Sequence, residues 1–515
     1  MKVTMPSNSK EGVFTGQCND AILKVLLIYP PFSLASNERL IVAPPLGLAY
    51  IGAVLEEAGY KVRILDTIAL NWRTPIKIRD RIHLGQKWDD INDEIKRSKP
   101  DAVGISCPFS CQSQNAHKVA ELVKTYDTDV PVIMGGAHPS TLPERVLRDK
   151  NVDYVVIGEG ELTMLNLLKA LSKGTSFSEI DGFAYRKEGK TMINPKKKFI
   201  EDLDSLPLPA RHLLPMNEYF NAKAPHGPEL MRSPFTSMIT SRGCPFNCVF
   251  CSIHTVWGHK WRPRSPDSVL LEIEHLIDVY KIREIHFEDD NLTLDKRRME
   301  KICDLILDRG LDIKWFTPNG VAIWTLDKNL LEKMKKSGCY KLSFGIESGD
   351  PETLKFIGKP VNLTYARKVI QWANESGIWT HGFFVIGFPY ESEASIDRTL
   401  RFATESDLDF ASFFIATPLP GTKLLEIVKK EGLIANDPNW ADLDVFNATV
   451  NTKFFTIEEI NSFQRDLYVS FLRKRILNSL QPRKFALRLR KIRSTEDLLF
   501  LSRLLTRFLQ IIKKN

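Results

Sequence analysis

From Leu23 onward the chain alternates short, unbroken apolar runs with longer stretches of helical periodicity. LKVLLIYPP at 23–31 reads as a buried strand: apolar positions are continuous over a strand's length, and Pro30 and Pro31 end it. The next run, LGLAYIGAVLEEAG, is helical and is stopped by Gly59. The alternation continues through KVRILDT, INDEIKRS, DAVGISCP, AHKVAELVKTY, VPVIMGGAHPS, PERVLRD, VDYVVIGEGE and LTMLNLLKALSKG. Strands separated by helices predict a parallel sheet covered on both faces. The order predicts an α/β, flavodoxin- or Rossmann-like sheet over residues 23–174, whose ligand lies beyond the carboxyl ends of the strands.

Residues 175–234 read as a connector. DGFAYRKEGKTMINPKKK is a small hairpin there, and Pro207, Pro209 and Pro215 argue against regular structure. A second α/β series fills 235–454. Its strands are PFTSMITSRGC, EIHFEDD, IKWFTPNG, YKLSFGIESG, WTHGFFVIGFP and ASFFIATPLPG. Six strand–helix steps predict a parallel barrel, complete or partial, with functional residues at the strand C-terminal ends. Residues 455–515 read as helices mixing Leu, Ile and Phe with Arg and Lys.

Residues 1–22 form an extension with no apolar core of a secretory signal, and no run in the chain reaches about 18 uninterrupted apolar residues. The expected location is the cytoplasm, free or peripheral at the membrane. The net charge of +8 is uneven. Residues 471–515 carry 13 Lys and Arg against Glu496 and Asp497, leaving the rest of the chain slightly acidic. A basic amphipathic tail either caps the barrel or touches an anionic membrane surface. No nucleic-acid motif accompanies it, so nucleic acid is not expected as a partner.

Eight cysteines in 515 residues are too few for a disulfide scaffold. Three of them, Cys244, Cys248 and Cys251, cluster in RGCPFNCVFC as C-x3-C-x2-C, in the loop after the first barrel strand. A structural zinc site wants four protein ligands, and His254 is the nearest additional one. An iron–sulfur cubane on three cysteines leaves one iron open, and an open coordination site is reactive.

RGCPFNCVFC, with Phe250 before its third cysteine, resembles the signature of the radical S-adenosylmethionine (SAM) superfamily. The resemblance covers roughly residues 235–425. It implies a 4Fe–4S cluster on Cys244, Cys248 and Cys251, with the amino and carboxylate groups of SAM on the open iron. It further implies SAM contacts from Phe250, from Glu347 and Ser348 in GIESG, from Gly387 in GFFVIGFP and from Asp290 in FEDDNLTLD.

PPLGLAYIGAVLEEAGYKVRILD and GGAHPSTLPERVL resemble the cobalamin-binding domain that precedes many radical SAM barrels. The implied contacts lie in loops after strands: Ser106 and Cys107; Gly135, Gly136 and His138; Gly158 and Glu159. The D-x-H-x-x-G motif, whose histidine ligates cobalt from below, is absent, so no histidine is assigned that role.

Together these resemblances imply a cobalamin-dependent radical SAM enzyme that methylates an unactivated carbon. One SAM would methylate the cobalamin and another would be split to a 5′-deoxyadenosyl radical. Ring formation without methyl transfer is the alternative chemistry, and a non-catalytic cobalamin sensor the remote one. The implied partners are a small-molecule, lipid or peptide substrate and a one-electron reductant such as ferredoxin or flavodoxin. No other catalytic residue is assigned.

Overall fold

The computed structural model describes residues 23–503, apart from 36–39, 80, 227–229, 436–437, 441–442, 444 and 480. The expected extension 1–22 and the tail end 504–515 lie outside the described residues.

Five parallel strands form the first sheet: β1 (Lys24–Tyr29), β2 (Lys61–Asp66), β3 (Ala102–Ser106), β4 (Val132–Gly135) and β5 (Tyr154–Val156). They stand in the order β2-β1-β3-β4-β5. Such an order reverses direction beside β1 and leaves a crevice at the strand C-terminal ends. The expected hairpin is present as β6 (Phe183–Lys187) and β7 (Lys190–Asn194). It is not free-standing. β6 pairs antiparallel with β5, so the hairpin extends the first sheet to seven strands. That pairing covers an edge of β5 that would otherwise present unpaired backbone groups, and Phe183 stacks on Tyr154 and Tyr185 across it.

The second sheet has six parallel strands in sequential order: β8 (Phe235–Met238), β9 (Glu284–Phe287), β10 (Lys314–Val321), β11 (Cys339–Glu347), β12 (Trp379–Ile386) and β13 (Phe410–Ile415). Among the described residues β8 and β13 do not pair, so this is a partial barrel. Side chains of β11 and β12 divide between its two faces, and a register shift just before Lys341 turns Tyr340 away from the face that Leu342 takes. Leu342, Phe344, Ile346, Phe384 and Ile386 join the core under the helices. Tyr340 and Trp379 instead meet Phe316 and Phe500 in a separate aromatic cluster.

The C-terminal helices cap this barrel. Helix Ile457–Ser479 sends Ile460, Leu467 and Phe471 into the barrel core. Its Tyr468 hydroxyl accepts from the Phe413 amide at 3.0 Å, and Gln464 donates to the Phe413 carbonyl at 2.7 Å. Arg475 and Lys491 converge on Asp409, and Lys484 pairs with Asp407 at 2.7 Å. Part of the tail's positive charge is therefore spent on the barrel. Among the described residues no helix is long and apolar enough to cross a membrane.

Candidate functional site

The segment leading to Cys244 is held from several directions. Asp289, just beyond β9, accepts from the Thr240 amide at 3.1 Å, the Thr240 hydroxyl at 2.7 Å and the Ser241 hydroxyl at 2.5 Å. Arg298 donates to the carbonyls of Thr240 and Arg264. Ser241 and Arg242 then pair antiparallel with Pro263 and Arg262. At Gly243 the backbone is left-handed, with φ of 85°, and a Cβ would stand 2.4 Å from the Lys260 carbonyl oxygen. Only glycine passes there. Beyond the turn, the Val249 amide bonds the Ile357 carbonyl and the Leu424 amide bonds the Val249 carbonyl, tying the cysteine loop to two later segments.

Cys244, Cys248 and Cys251 are partly buried free thiols on this loop. Burial, reinforced by Glu347 and Cys244, pushes Cys248 up to about 11. Burial and the two neighbouring thiols push Cys251 up to about 12. Bare, these groups stay protonated, whereas bound iron would draw the protons off. Among the described residues no group of three or more His, Cys, Asp or Glu is set to hold a single metal ion. His254 stacks on His259 at 4.5 Å rather than completing a zinc set. A cluster that offers each thiol its own iron suits the three sulfur donors better.

Glu347 and Asp290, two of the expected SAM contacts, lie close enough to this loop to be felt electrostatically by its cysteines. Asp290 is pushed up to about 7 by burial and by Asp289, against a hydrogen bond from the Gly243 amide. Glu347 pairs with Lys359 at 2.5 Å, a residue the sequence reading does not single out. Burial alone would lower the Lys359 pKa, but Glu347 and then Cys248 outweigh it and hold the ammonium charged. Phe250 packs on Phe388 with ring centres 6.1 Å apart.

Two expected SAM contacts are placed otherwise. The Ser348 hydroxyl is fully buried, bonds Thr399 and accepts from the Asp350 amide, so it stabilises the turn after β11. Gly387 gives its amide to Glu391 at 2.7 Å, and a Cβ there would meet Ile460 of the C-terminal helix at 3.1 Å. Its small size serves packing.

At the first sheet, Ser106 and Gly135 pair at the ends of β3 and β4. Gly136 lets the Cys107 backbone approach: a Cβ would lie 2.6 Å from the Cys107 oxygen, at a φ of 116°. Cys107 is buried and its thiol is pushed far up by desolvation, so it is inert. His138 bonds Ser110 through Nδ1 at 2.9 Å, and burial lowers it to about 4, leaving it neutral. A cavity of about 240 Å³ lies beside it, lined also by His117, Arg145 and Trp440. The buried Trp440 indole N–H has no acceptor. Glycines at 135 and 136 and a neutral imidazole at His138 suit the edge of a large planar ligand, of which this polar cavity would take only a part. Glu159 departs from expectation. Its carboxylate is buried and accepts from Arg242 at 3.0 Å and Arg262 at 2.8 Å, so it binds protein.

The two sites face one another. A Cβ on Gly158 would lie 3.3 Å from the Val256 carbonyl oxygen. A Cβ on Gly421, beyond β13, would lie 2.7 Å from Thr255 and 2.9 Å from Thr141. Thr255 and Val256 closely follow Cys251, while Thr141 ends the short helix after β4 and Gly158 sits in the loop after β5. Lys359, Arg242 and Arg262 are largely buried, ion-paired residues at this junction that the sequence reading passes over. The only local hint is that Arg242, Arg262 and Arg264 recur close to the cysteine motif.

Comparison with known proteins agrees with this arrangement. Residues 37–168 match the B12 binding domain family, and residues 238–403 match the Radical SAM superfamily. An uncharacterized methyltransferase of Pyrococcus horikoshii is 37% identical over 459 residues, covering 88% of this chain and 94% of that one. The cytidylyl-2-hydroxyethylphosphonate methyltransferase of Streptomyces wedmorensis is 36% identical over 442 residues, covering 80% and 82%. The fold is similar to that of the cobalamin-dependent S-adenosylmethionine radical enzyme OxsB, solved with aqua-cobalamin and S-adenosylmethionine bound. That likeness has a TM-score of 0.69 and 18% identity, over 90% of this chain and 70% of that one. With a B12-binding sheet set against a three-cysteine radical SAM barrel, the chain belongs to the family of cobalamin-dependent radical SAM enzymes.

Proposed function

We propose that this enzyme is a methyltransferase acting on an unactivated carbon of a small-molecule substrate. The observation that carries the reading is the close approach of Thr255 and Val256, beside the cluster cysteines, to the cobalamin-side residues Thr141 and Gly158. The methyltransferase relatives support it. When bound, the cluster with SAM supplies a radical initiator and the cobalamin a methyl carrier. The overall reaction balances as substrate C–H plus two SAM and two electrons. It gives the methylated substrate, S-adenosylhomocysteine, methionine and 5′-deoxyadenosine. The hydrogen taken from substrate ends in 5′-deoxyadenosine, and both electrons come from a one-electron donor of the ferredoxin or flavodoxin kind.

The chain's own part is placement. Cys244, Cys248 and Cys251 supply thiolates. Glu347 would accept from the amino group of SAM, and Lys359 adds positive charge beside Cys248 and Cys251. Thr141 and Thr255 both close on Gly421, so the segments from the two domains meet where there is no room for a side chain.

Anaerobic incubation of reconstituted protein with SAM, cobalamin and a reductant tests this. Methyl transfer predicts both 5′-deoxyadenosine and S-adenosylhomocysteine. 5′-Deoxyadenosine without S-adenosylhomocysteine would favour ring formation, and neither product from an intact cluster would refute the enzyme reading. Membrane-surface contact is a separate matter. Exposed Ile476, Leu477, Phe485, Leu489, Leu498 and Leu499 on the basic tail motivate it. Failure to sediment with anionic vesicles would dismiss it.

A further inference from the structure

Four fully buried charged side chains join the cobalamin-side sheet to the cluster loop. Glu159 follows Gly158 directly, and Arg242 precedes Cys244 by two residues. The two-stranded ladder sets Arg242 opposite Arg262, so their guanidinium groups lie side by side. Both donate to one oxygen of Glu159, at 3.0 and 2.8 Å. The other Glu159 oxygen accepts from the Ile200 amide at 2.8 Å. Arg242 also donates to Glu161 at 2.6 Å, and Arg262 to the carbonyls of Ile200 and Trp257. None of the four is more than 3% exposed. Arg242 sits against the rings of Tyr50 and Trp257, and Arg262 against Phe199.

The charges balance, two against two, yet such a lattice is a poor device for stability alone. Desolvating four ions costs about as much as their attraction returns, and well-packed apolar side chains would serve as well. What the rigid guanidinium fork provides here, with Arg242 bridging Glu159 and Glu161 and Arg262 bridging Glu159 and two carbonyls, is a unique geometry. Here that geometry is transmitted over very short lengths of backbone. Glu159 fixes the loop bearing Gly158, which touches Val256. Arg242 fixes the rigid turn at Gly243 from which Cys244 emerges. Trp257, a partner of both arginines, closes the helix that follows Cys251.

We propose that Glu159, Glu161, Arg242 and Arg262 are positioning residues that set the spacing between the cobalamin-side loops and the cluster loop, and so the passage of a methyl group between the two centres. This rests on the methyltransferase reading above.

The test separates one-centre from two-centre properties in Glu161→Gln and Arg242→Lys, the second of which keeps its charge but loses the fork. Each variant is reconstituted with iron, sulfide and hydroxocobalamin. Cobalamin bound per chain and reductive cleavage of SAM to 5′-deoxyadenosine each need one centre. They are expected to stay within about twofold of the parent. The burst of S-adenosylhomocysteine, which needs both centres, is expected to fall by about tenfold to a hundredfold, as for a small misplacement of reacting groups. The magnetic coupling between cob(II)alamin and the reduced cluster, read by electron paramagnetic resonance, is expected to weaken or broaden. A parent-like burst with parent-like coupling would overturn the proposal. So would loss of cobalamin binding or SAM cleavage in step with the burst, since the lattice would then merely hold the fold. If the parent itself releases no S-adenosylhomocysteine, the methyltransferase reading fails, and the magnetic coupling alone decides the lattice.

Discussion

Lys359 Nζ lies 2.5 Å from Glu347 Oε1, and Glu347 makes that contact from a left-handed backbone with φ of 67°. A non-glycine residue in this conformation stores about 1–3 kcal/mol of strain, which persists only where surrounding structure holds it. Gly345 makes the pair possible: a Cβ there would stand 2.6 Å from the Lys359 nitrogen and 2.9 Å from the Glu347 oxygen. The strain is therefore spent on presenting a carboxylate and an ammonium together beside the cysteines.

Removing the ammonium should expose that arrangement. Lys359→Met leaves a buried carboxylate unpaired, at a cost of about 3 kcal/mol. SAM affinity is expected to weaken by at least about tenfold, with iron content unchanged. Equilibrium binding of SAM to the reconstituted protein, beside iron analysis, checks both.

In the proposed assignment the cluster hangs on three thiols and no more. Cys244→Ala, Cys248→Ala or Cys251→Ala should remove the visible absorbance of the cluster and all SAM cleavage. Cys303→Ala and Cys339→Ala should leave both in place, because those side chains are buried in the barrel core. Loss of the cluster in Cys303→Ala would contradict the three-cysteine assignment.

Glu391 provides a pH test. It caps the amides of Gly387 and Phe388, and burial pushes it up to about 8. Its folded pKa is above its unfolded value, so the folded state holds the proton more tightly. The stability this contributes is full below about pH 4.5, declines as pH rises towards 8 and is gone above it. Glu391→Gln keeps an acceptor for both amides without the charge. It should flatten the decline and stabilise the protein at pH 8 and above by up to a few kcal/mol. Denaturation midpoints measured from pH 5 to 9 follow the difference.

Gly136 tests the packing of the cobalamin-side loops. Gly136→Ala forces a Cβ within 2.6 Å of the Cys107 oxygen in a backbone region that alanine avoids. The expected loss is about 3 kcal/mol, with weaker retention of hydroxocobalamin. Calorimetry and absorbance after gel filtration read the two effects.

Much of this molecule is legible in order along the chain. The five strands of the first sheet and the six of the barrel fall where unbroken apolar runs meet Gly and Pro punctuation. Local spacing also identifies the cysteine site, because three thiols within eight residues can share one centre whatever surrounds them. The hairpin at 183–194 is visible too, but not that β6 completes the edge of β5. Ser348 and Gly387 occupy the strand ends expected of them, yet their polar atoms turn to Thr399 and Glu391. The direction of a side chain at a strand end depends on which helix packs outside it, and one sequence does not carry that.

The sequence by itself determines the two α/β series, their order and the grouping of three cysteines within eight residues. These rest on hydrophobic periodicity and on short-range spacing. Only the tertiary structure decides that Glu159 binds arginines 83 and 103 residues away, that Lys359 joins Glu347 beside the cysteines, and that cations of the tail turn back onto Asp409. Buried charges must find a partner of opposite sign wherever the chain brings one. That choice is made by the packing of whole elements, not by residues near in sequence.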